Sequence, residues 1–344
     1  MPAAKGGGAN PCVRARVPRS SCRLGASLLA VSLLAACAHE PAFRAERPDR
    51  LDLGGRSLAI IGDLQLTSGV ARFVRGREDN EAAQRILMDD LIARIDDIGA
   101  LVIVGDLVFS GRSDRDWAHL DSLVADVAAR VPVLVAVGNH DYPCWLVMLC
   151  RDSAISKGML ARFPWLEPGQ PYAVGSDSLE LLFLDTESAF EAQGQWLDAA
   201  LERTAGRGAA ALVFFHRPAY TNSVDRGAVA SPEALEHFVP VLRAAMPPPV
   251  VFNGHLHGLE YFVRDGVHYL ITAGGGGPRG PLAEQKPDDR YRGPDCAREQ
   301  QGDVVRPLNY LLLNESPAGL DIEIRGFCGN GDSVRELDRI ELSR

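Results

Sequence analysis

Seven residues spread along the chain offer metal-ligating atoms: Asp63, Gln65, Asp106, Asn139, His216, His255 and His257. The set mixes carboxylate oxygens, neutral amide oxygens and imidazole nitrogens. Such a mixture suits Mn, Fe or Zn rather than a thiolate-bound ion. In His255-Leu256-His257 both rings can lie on one side of an extended chain or turn, as a chelating pair requires. His140 and Asp141 follow Asn139 directly. An imidazole next to a carboxylate that fixes its tautomer and raises its basicity is suited to proton transfer. One Asp after a strand is commonly the N-cap of the next helix, and a lone histidine is an ordinary polar residue. The repetition of such residues at strand ends argues for a site.

The elements that would position them are legible. Val133 to Val137 is a short continuous apolar run, read as a buried strand that ends at Gly138-Asn139-His140-Asp141. Ser57 to Gly62 and Leu101 to Gly105 are similar runs, ending in Asp63 and Asp106. Between them, Glu78 to Asp97 carries Ile86, Leu87, Leu91 and Ile95 at helical spacing, and Ser113 is the expected N-cap of a helix to Arg130. In the second half, Leu179 to Asp185, Ala210 to Phe215 and Pro249 to Asn253 read as strands, with a helix over Gln193 to Arg203. His216 ends one of these strands, and Gly254-His255-Leu256-His257 follows another. In open α/β sheets, sites are built at the carboxyl ends of strands.

The order Asp63, Gly105-Asp106-Leu107, Gly138-Asn139-His140-Asp141, His216 and Gly254-His255-Leu256-His257 resembles the calcineurin-like metallophosphoesterases, which include the purple acid phosphatases. The resemblance covers residues 57 to 275. It implies an α/β fold of two packed mixed β-sheets flanked by α-helices. It also implies two metal ions, one held by Asp63, Gln65, Asp106 and His257 and one by Asp106, Asn139, His216 and His255, with Asp106 bridging. His140 would be the outer-sphere catalytic histidine, oriented by Asp141. Two such cations clamp a phosphoryl oxygen and acidify a water to hydroxide, so the implied activity is hydrolysis of phosphate esters. Phosphomonoesters are favoured. The alternatives are a phosphodiesterase acting on nucleotides or lipid head groups, and a non-catalytic envelope lipoprotein using the fold for binding. The chain departs from the family at Asp63-Leu64-Gln65, where Asp-x-His is usual. An amide oxygen is a harder, weaker donor than imidazole, which favours a harder ion such as Mn²⁺ or a loosely held first metal, the alternative being that Gln65 stands outside the ligand set or holds a metal-bound water. Phe109 stands where purple acid phosphatases carry a tyrosine ligand, which argues against a charge-transfer diiron site.

The chain has 344 residues, 46% of them apolar, enough for a full core. Its first 36 residues hold Lys5, Arg14, Arg16, Arg19 and Arg23 and no acid. Without them the formal charge of −9 deepens to −14, and nucleic-acid binding is not expected. Arg14 to Arg23 and the apolar Leu24 to Ala36 read as an export signal. Leu34-Ala35-Ala36-Cys37 resembles a bacterial lipoprotein signal, with Cys37 lipidated, and Ala38 would permit transfer to an outer membrane. The expected organisation is a signal peptide over 1–37, a flexible tether over 38–56, the phosphoesterase domain over 57–326 and a C-terminal tail over 327–344. The expected location is the periplasm or cell envelope. An even set of cysteines in an exported protein suggests bridges Cys144–Cys150 and Cys296–Cys328. Residues 274–307, rich in Gly, Pro and charge, are expected to border the cleft. Leu308 to Leu313 and Leu320 to Gly326 read as an antiparallel pair. His39, His119, His237 and His268 are expected to be structural or surface residues.

Overall fold

The computed structural model describes residues 39–67, 73, 77–143, 154–224, 229–281, 296–297, 304–329 and 332–343. Its strands are β1 (Ser57–Ile61), β2 (Ile98–Val104), β3 (Val133–Ala136), β4 (Tyr172–Gly175), β5 (Leu179–Phe183), β6 (Ala210–Phe214), β7 (Val250–Asn253), β8 (Leu259–Arg264), β9 (Val267–Thr272), β10 (Cys296–Ala297), β11 (Val304–Val305), β12 (Leu308–Ser316), β13 (Gly319–Phe327) and β14 (Arg335–Ser343). The helices are α1 (Glu81–Ala93), α2 (Asp114–Ala128), α3 (Lys157–Arg162), α4 (Phe190–Gly206), α5 (Pro232–His237) and α6 (Val239–Ala244).

Two mixed six-stranded sheets dominate. One has the order β14-β13-β12-β1-β2-β3 and the other β4-β5-β6-β7-β9-β8. In the first, β1, β2 and β3 are parallel, and β12 adds antiparallel to β1. In the second, β5, β6, β7 and β9 are parallel, with antiparallel β4 and β8 at the edges. Of the parallel strands, β1, β2, β3 and β7 are buried throughout, which is why they read as continuous apolar runs rather than alternating ones. Helical crossovers return the chain between them. Ser113 caps α2, its hydroxyl accepting from the Asp116 N–H at 3.2 Å.

The larger core lies between the sheets and unites β1, β2, β3 and β12 with Tyr172, Phe183, Phe214 and Phe252 of the second sheet. Those four rings stack in sequence, with centroid spacings of 4.4, 5.0 and 5.1 Å. At the free edge of β3, the Tyr172 hydroxyl donates to the Val135 carbonyl (2.7 Å) and accepts from the Val135 N–H (3.0 Å). A smaller cluster seals the other face of the second sheet under α4, α5 and α6.

Two organisational expectations are corrected. The described part of the 38–56 segment is not a free tether. Phe43, Leu51 and Leu53 are buried in the main core. The Ala45 and Leu51 N–H groups donate to the Arg162 and Gly175 carbonyls at 2.8 Å each. The apolar residues among the Pro, Arg and acids are what docks it. Residues 327–344 are not a tail either, because Arg335–Ser343 forms β14 against β13. Cys296 and Cys328 form the expected disulfide. The Cys144–Cys150 pair, Cys37 and the export signal lie outside the described residues. No helix among the described residues is long and apolar enough to cross a membrane.

Candidate active site

The carboxyl ends of β1, β2, β3, β6 and β7 converge. Asp63 follows β1, Asp106 follows β2, Asn139 follows β3, His216 follows β6, and His255 and His257 follow β7. Asp63, Asp106, His255 and His257 have left-handed backbones, with φ of 60°, 51°, 78° and 48°. Non-glycine residues rarely adopt this conformation, and it concentrates at functional sites because the surrounding structure must hold it. Gly138 is required by close approach: a methyl group there would collide with the backbone nitrogen and carboxylate of Asp106.

Two overlapping clusters result. Ligand atoms of Asp106, His216 and His255 lie within 4.8 Å of one another, as do those of Asp63, Asp106 and His257. Asp106 belongs to both. Two amide oxygens from the other candidate ligands, Asn139 Oδ1 and Gln65 Oε1, are buried with no hydrogen-bond partner among the described residues. A buried acceptor left unpaired costs about 1–3 kcal/mol, and a bound cation removes that cost. The residues therefore fit a metal pair.

Two of the three candidate imidazoles are oriented by backbone carbonyls. His216 Nδ1 donates to Val104 O at 2.9 Å and His257 Nδ1 to Pro278 O at 2.7 Å, which leaves both Nε2 atoms facing the carboxylates. His216 Nε2 lies 3.1 Å from Asp106 Oδ2 without an aligned hydrogen bond, and His257 Nε2 lies 3.5 Å from Asp63 Oδ1. Carbonyl-anchored histidines are the usual metal ligands. Gln65 Nε2 donates to His257 Nε2 at 2.7 Å, so the residue that breaks the Asp-x-His pattern sits beside the histidine of its own set.

Electrostatics follow burial. Burial pushes the Asp63 carboxyl well above the usual range, with the nearby Asp106 and Asp141 charges adding to the effect. Burial also opposes ionisation of Asp106, but the His216 and His140 imidazoles outweigh it and hold Asp106 below the carboxylate range. Burial disfavours the His216 imidazolium, yet the Asp106 carboxylate pushes its pKa up to about 9. Burial keeps His255 well below its ordinary value and lowers His257 to about 4, so both present neutral lone pairs.

His140 and Asp141 do not form the expected pair. His140 Nδ1 donates to the Phe109 carbonyl at 2.6 Å, and the Phe109 ring lies 5.2 Å from the imidazole. The Asp141 carboxylate instead accepts the N–H groups of Asp106, Leu107 and Gly138 at 3.0, 2.9 and 2.9 Å. Three converging backbone donors hold it away from the neighbouring ring. Burial and the Asp106 charge raise its pKa to about 7 against the pull of those donors. Asp141 thus ties two ligand loops together, and Asp106 Oδ1 returns the tie by accepting from the His140 N–H at 2.8 Å.

Sequence reasoning missed several supports. Gln84 on α1 is fully buried, and its Nε2 donates to Leu64 O (2.6 Å) and Gly275 O (3.1 Å), clasping both chains that flank the site. Arg279 donates to Glu78 and to the carbonyls of Arg306 and Cys328. It adjoins Pro278, whose carbonyl accepts from His257, so the start of the 274–307 loop borders the site, while residues 282–295 and 298–303 lie outside the described residues. No local pattern marks either residue. A polar position on the buried face of α1 was the one available signal for Gln84. His119 is structural as expected, with Nε2 on Gln84 Oε1, while His268 contacts Tyr261 and His39 contacts Asp121.

Residues 56–259 match the calcineurin-like phosphoesterase family. The chain belongs to that family. Among curated proteins it is 24% identical over 234 residues to "Probable inactive purple acid phosphatase 9" of Arabidopsis thaliana, covering 59% of this chain and 36% of that protein. It is 27% identical over 210 residues to purple acid phosphatase 22 of the same plant, covering 54% and 46%. The chain thus spans less than half the length of these relatives. Among solved structures, purple acid phosphatase PPD1 from yellow lupin (Lupinus luteus) superposes with a TM-score of 0.60 at 15% identity, over 82% of this chain and 53% of that one. That likeness concerns the fold.

Proposed function

We propose that this chain is a metal-dependent phosphoesterase acting on phosphomonoesters at a dinuclear site. The observation that carries the reading is the pair of overlapping donor clusters, Asp63–Asp106–His257 and Asp106–His216–His255, which share the Asp106 carboxylate. Asp63, Gln65, Asp106 and His257 would hold one ion, and Asp106, Asn139, His216 and His255 the other. When bound, such a pair supplies Lewis-acid activation of water and of a phosphoryl oxygen.

The chain's own residues supply the rest. With Nδ1 engaged by Phe109, His140 has Nε2 as its proton-transferring atom, suited to the leaving alkoxide. Asp141 keeps the Asp106 and Asn139 loops in register, so that the shared carboxylate serves both sets. The names of the curated relatives support the monoester reading, and a phosphodiesterase is the competing one. The basic and apolar N-terminal stretch ending at Cys37 supports an exported lipoprotein, anchored to the cell envelope by that residue.

The deciding experiment is hydrolysis of p-nitrophenyl phosphate and bis-p-nitrophenyl phosphate in EDTA, then with Mn²⁺, Fe²⁺ or Zn²⁺ restored. Metal-restored activity that disappears in Asn139→Ala is expected, with the monoester turned over faster. A folded, metal-loaded protein that hydrolyses neither substrate would favour the non-catalytic role that one relative's name suggests.

A further inference from the structure

The residue directly after the ligand His216 stands in an unusual position. Arg217 Nε donates to Glu187 Oε1 at 2.6 Å, and its NH1 donates to His255 Nε2 at 3.1 Å. Its backbone N–H is fixed on the Thr186 hydroxyl at 3.1 Å, while its side chain is 26% exposed. A guanidinium has five donors and no acceptor, so His255 Nε2 must be accepting and the ring proton must sit on Nδ1. The contact therefore places a protein cation against a candidate metal ligand.

That contact and a loaded site exclude one another. An ion taken at Nε2 uses the lone pair that Arg217 now uses. An ion taken at Nδ1 displaces the proton, which moves to Nε2 and leaves nothing there to accept. Repulsion between the ion and the guanidinium acts the same way in both cases. Glu187 and Thr186 still hold the base of Arg217 once NH1 is released. The freed donors then lie at the edge of the site, on a side chain with access to solvent. A phosphate oxygen is the acceptor chemistry that a guanidinium fork fits best.

We infer that Arg217 is a two-state residue, capping His255 in the metal-free site and turning to bind the substrate's phosphate once metal is loaded. The inference rests on the metal-dependent reading of the site. It makes phosphate binding conditional on metal loading, and it assigns a recognition role to a residue outside both ligand sets.

The test uses two affinities measured on the full chain by titration calorimetry. One is Mn²⁺ binding to EDTA-stripped protein without phosphate, and the other is orthophosphate binding to Mn²⁺-saturated protein. In Arg217→Met, Mn²⁺ should bind several-fold more tightly because a competitor is gone. Orthophosphate should bind roughly tenfold more weakly, about 1.4 kcal/mol. Arg217→Lys, which keeps the charge without the fork, should fall between wild type and Arg217→Met for orthophosphate. A thermal melt of each variant checks the fold. Affinities that fall together, or an unchanged phosphate affinity, would overturn the two-state role, because loss of a merely structural residue weakens both. Wild-type protein that takes up no Mn²⁺ would instead sink the metal-dependent reading itself, and this inference with it.

Discussion

His140 and Asp141 are neighbours in sequence with separate tasks. The imidazole is aimed by the Phe109 carbonyl, and the carboxylate is consumed by three backbone N–H groups. Their substitutions should therefore fail differently. His140→Ala should lower kcat by about 10²–10⁴-fold, the usual contribution of a general acid, while metal content and melting temperature stay at wild-type values. Asp141→Ala should strip three buried donors of their acceptor, each worth about 1–3 kcal/mol, so that melting temperature and metal content fall together. A stable, metal-replete Asp141→Ala protein with only kcat reduced would restore the expected His140–Asp141 pair.

The loop after β9 holds the His257 side of the site through Arg279. Its guanidinium pairs with buried Glu78 at 2.8 and 3.0 Å and reaches the carbonyl of Cys328, a disulfide residue. Asn80, which also donates to Glu78, bonds the Gly277 carbonyl. Burial alone would raise the Glu78 pKa, but the Arg279 and Asn80 hydrogen bonds hold it below its ordinary value of 4.5. The folded pKa is thus lower than the unfolded one. The pair's stabilisation is complete above the unfolded value and fades as pH falls through the folded value. Melting temperature should drop on acidification below the unfolded value, with a shallower drop in Glu78→Gln. Arg279→Met leaves a buried carboxylate unpaired and should cost about 3–5 kcal/mol in urea unfolding at pH 7. An acid limb unchanged in Glu78→Gln would refute the assignment.

Across the whole molecule, two edges meet where β3 and β4 face each other through Tyr172, and the 39–56 segment closes the core beside them. Phe43, Leu51 and Leu53 supply the apolar surface of that closure. Removing residues 39–56 should therefore destabilise the domain, by about 1.5–3 kcal/mol for each large side chain lost. A truncated protein beginning at Ser57 that melts at the full-length temperature would show the segment to be a tether after all.

The strand-end residues were legible because chemistry and local pattern coincide at them. Continuous apolar runs locate parallel strands, and a polar residue directly after each run marks the face where sites form. The seven candidate ligands and His140 could be named that way, with the order of motifs supplying the family resemblance. Other features have no local signature. Whether Asp141 serves an imidazole or three amides depends on which loop lies beside it. Gln84 and Arg279 act on chains distant in sequence. The 39–56 segment looks like a linker by composition, because its few apolar residues gain meaning only against the sheet they cover. β14, charged along most of its length, is a strand because β13 offers an edge to pair with. Sequence determined the donor atoms and the strands that carry them. Tertiary structure decided which acceptor each donor meets, because hydrogen-bond partners and burial are set by packing between segments far apart in the chain.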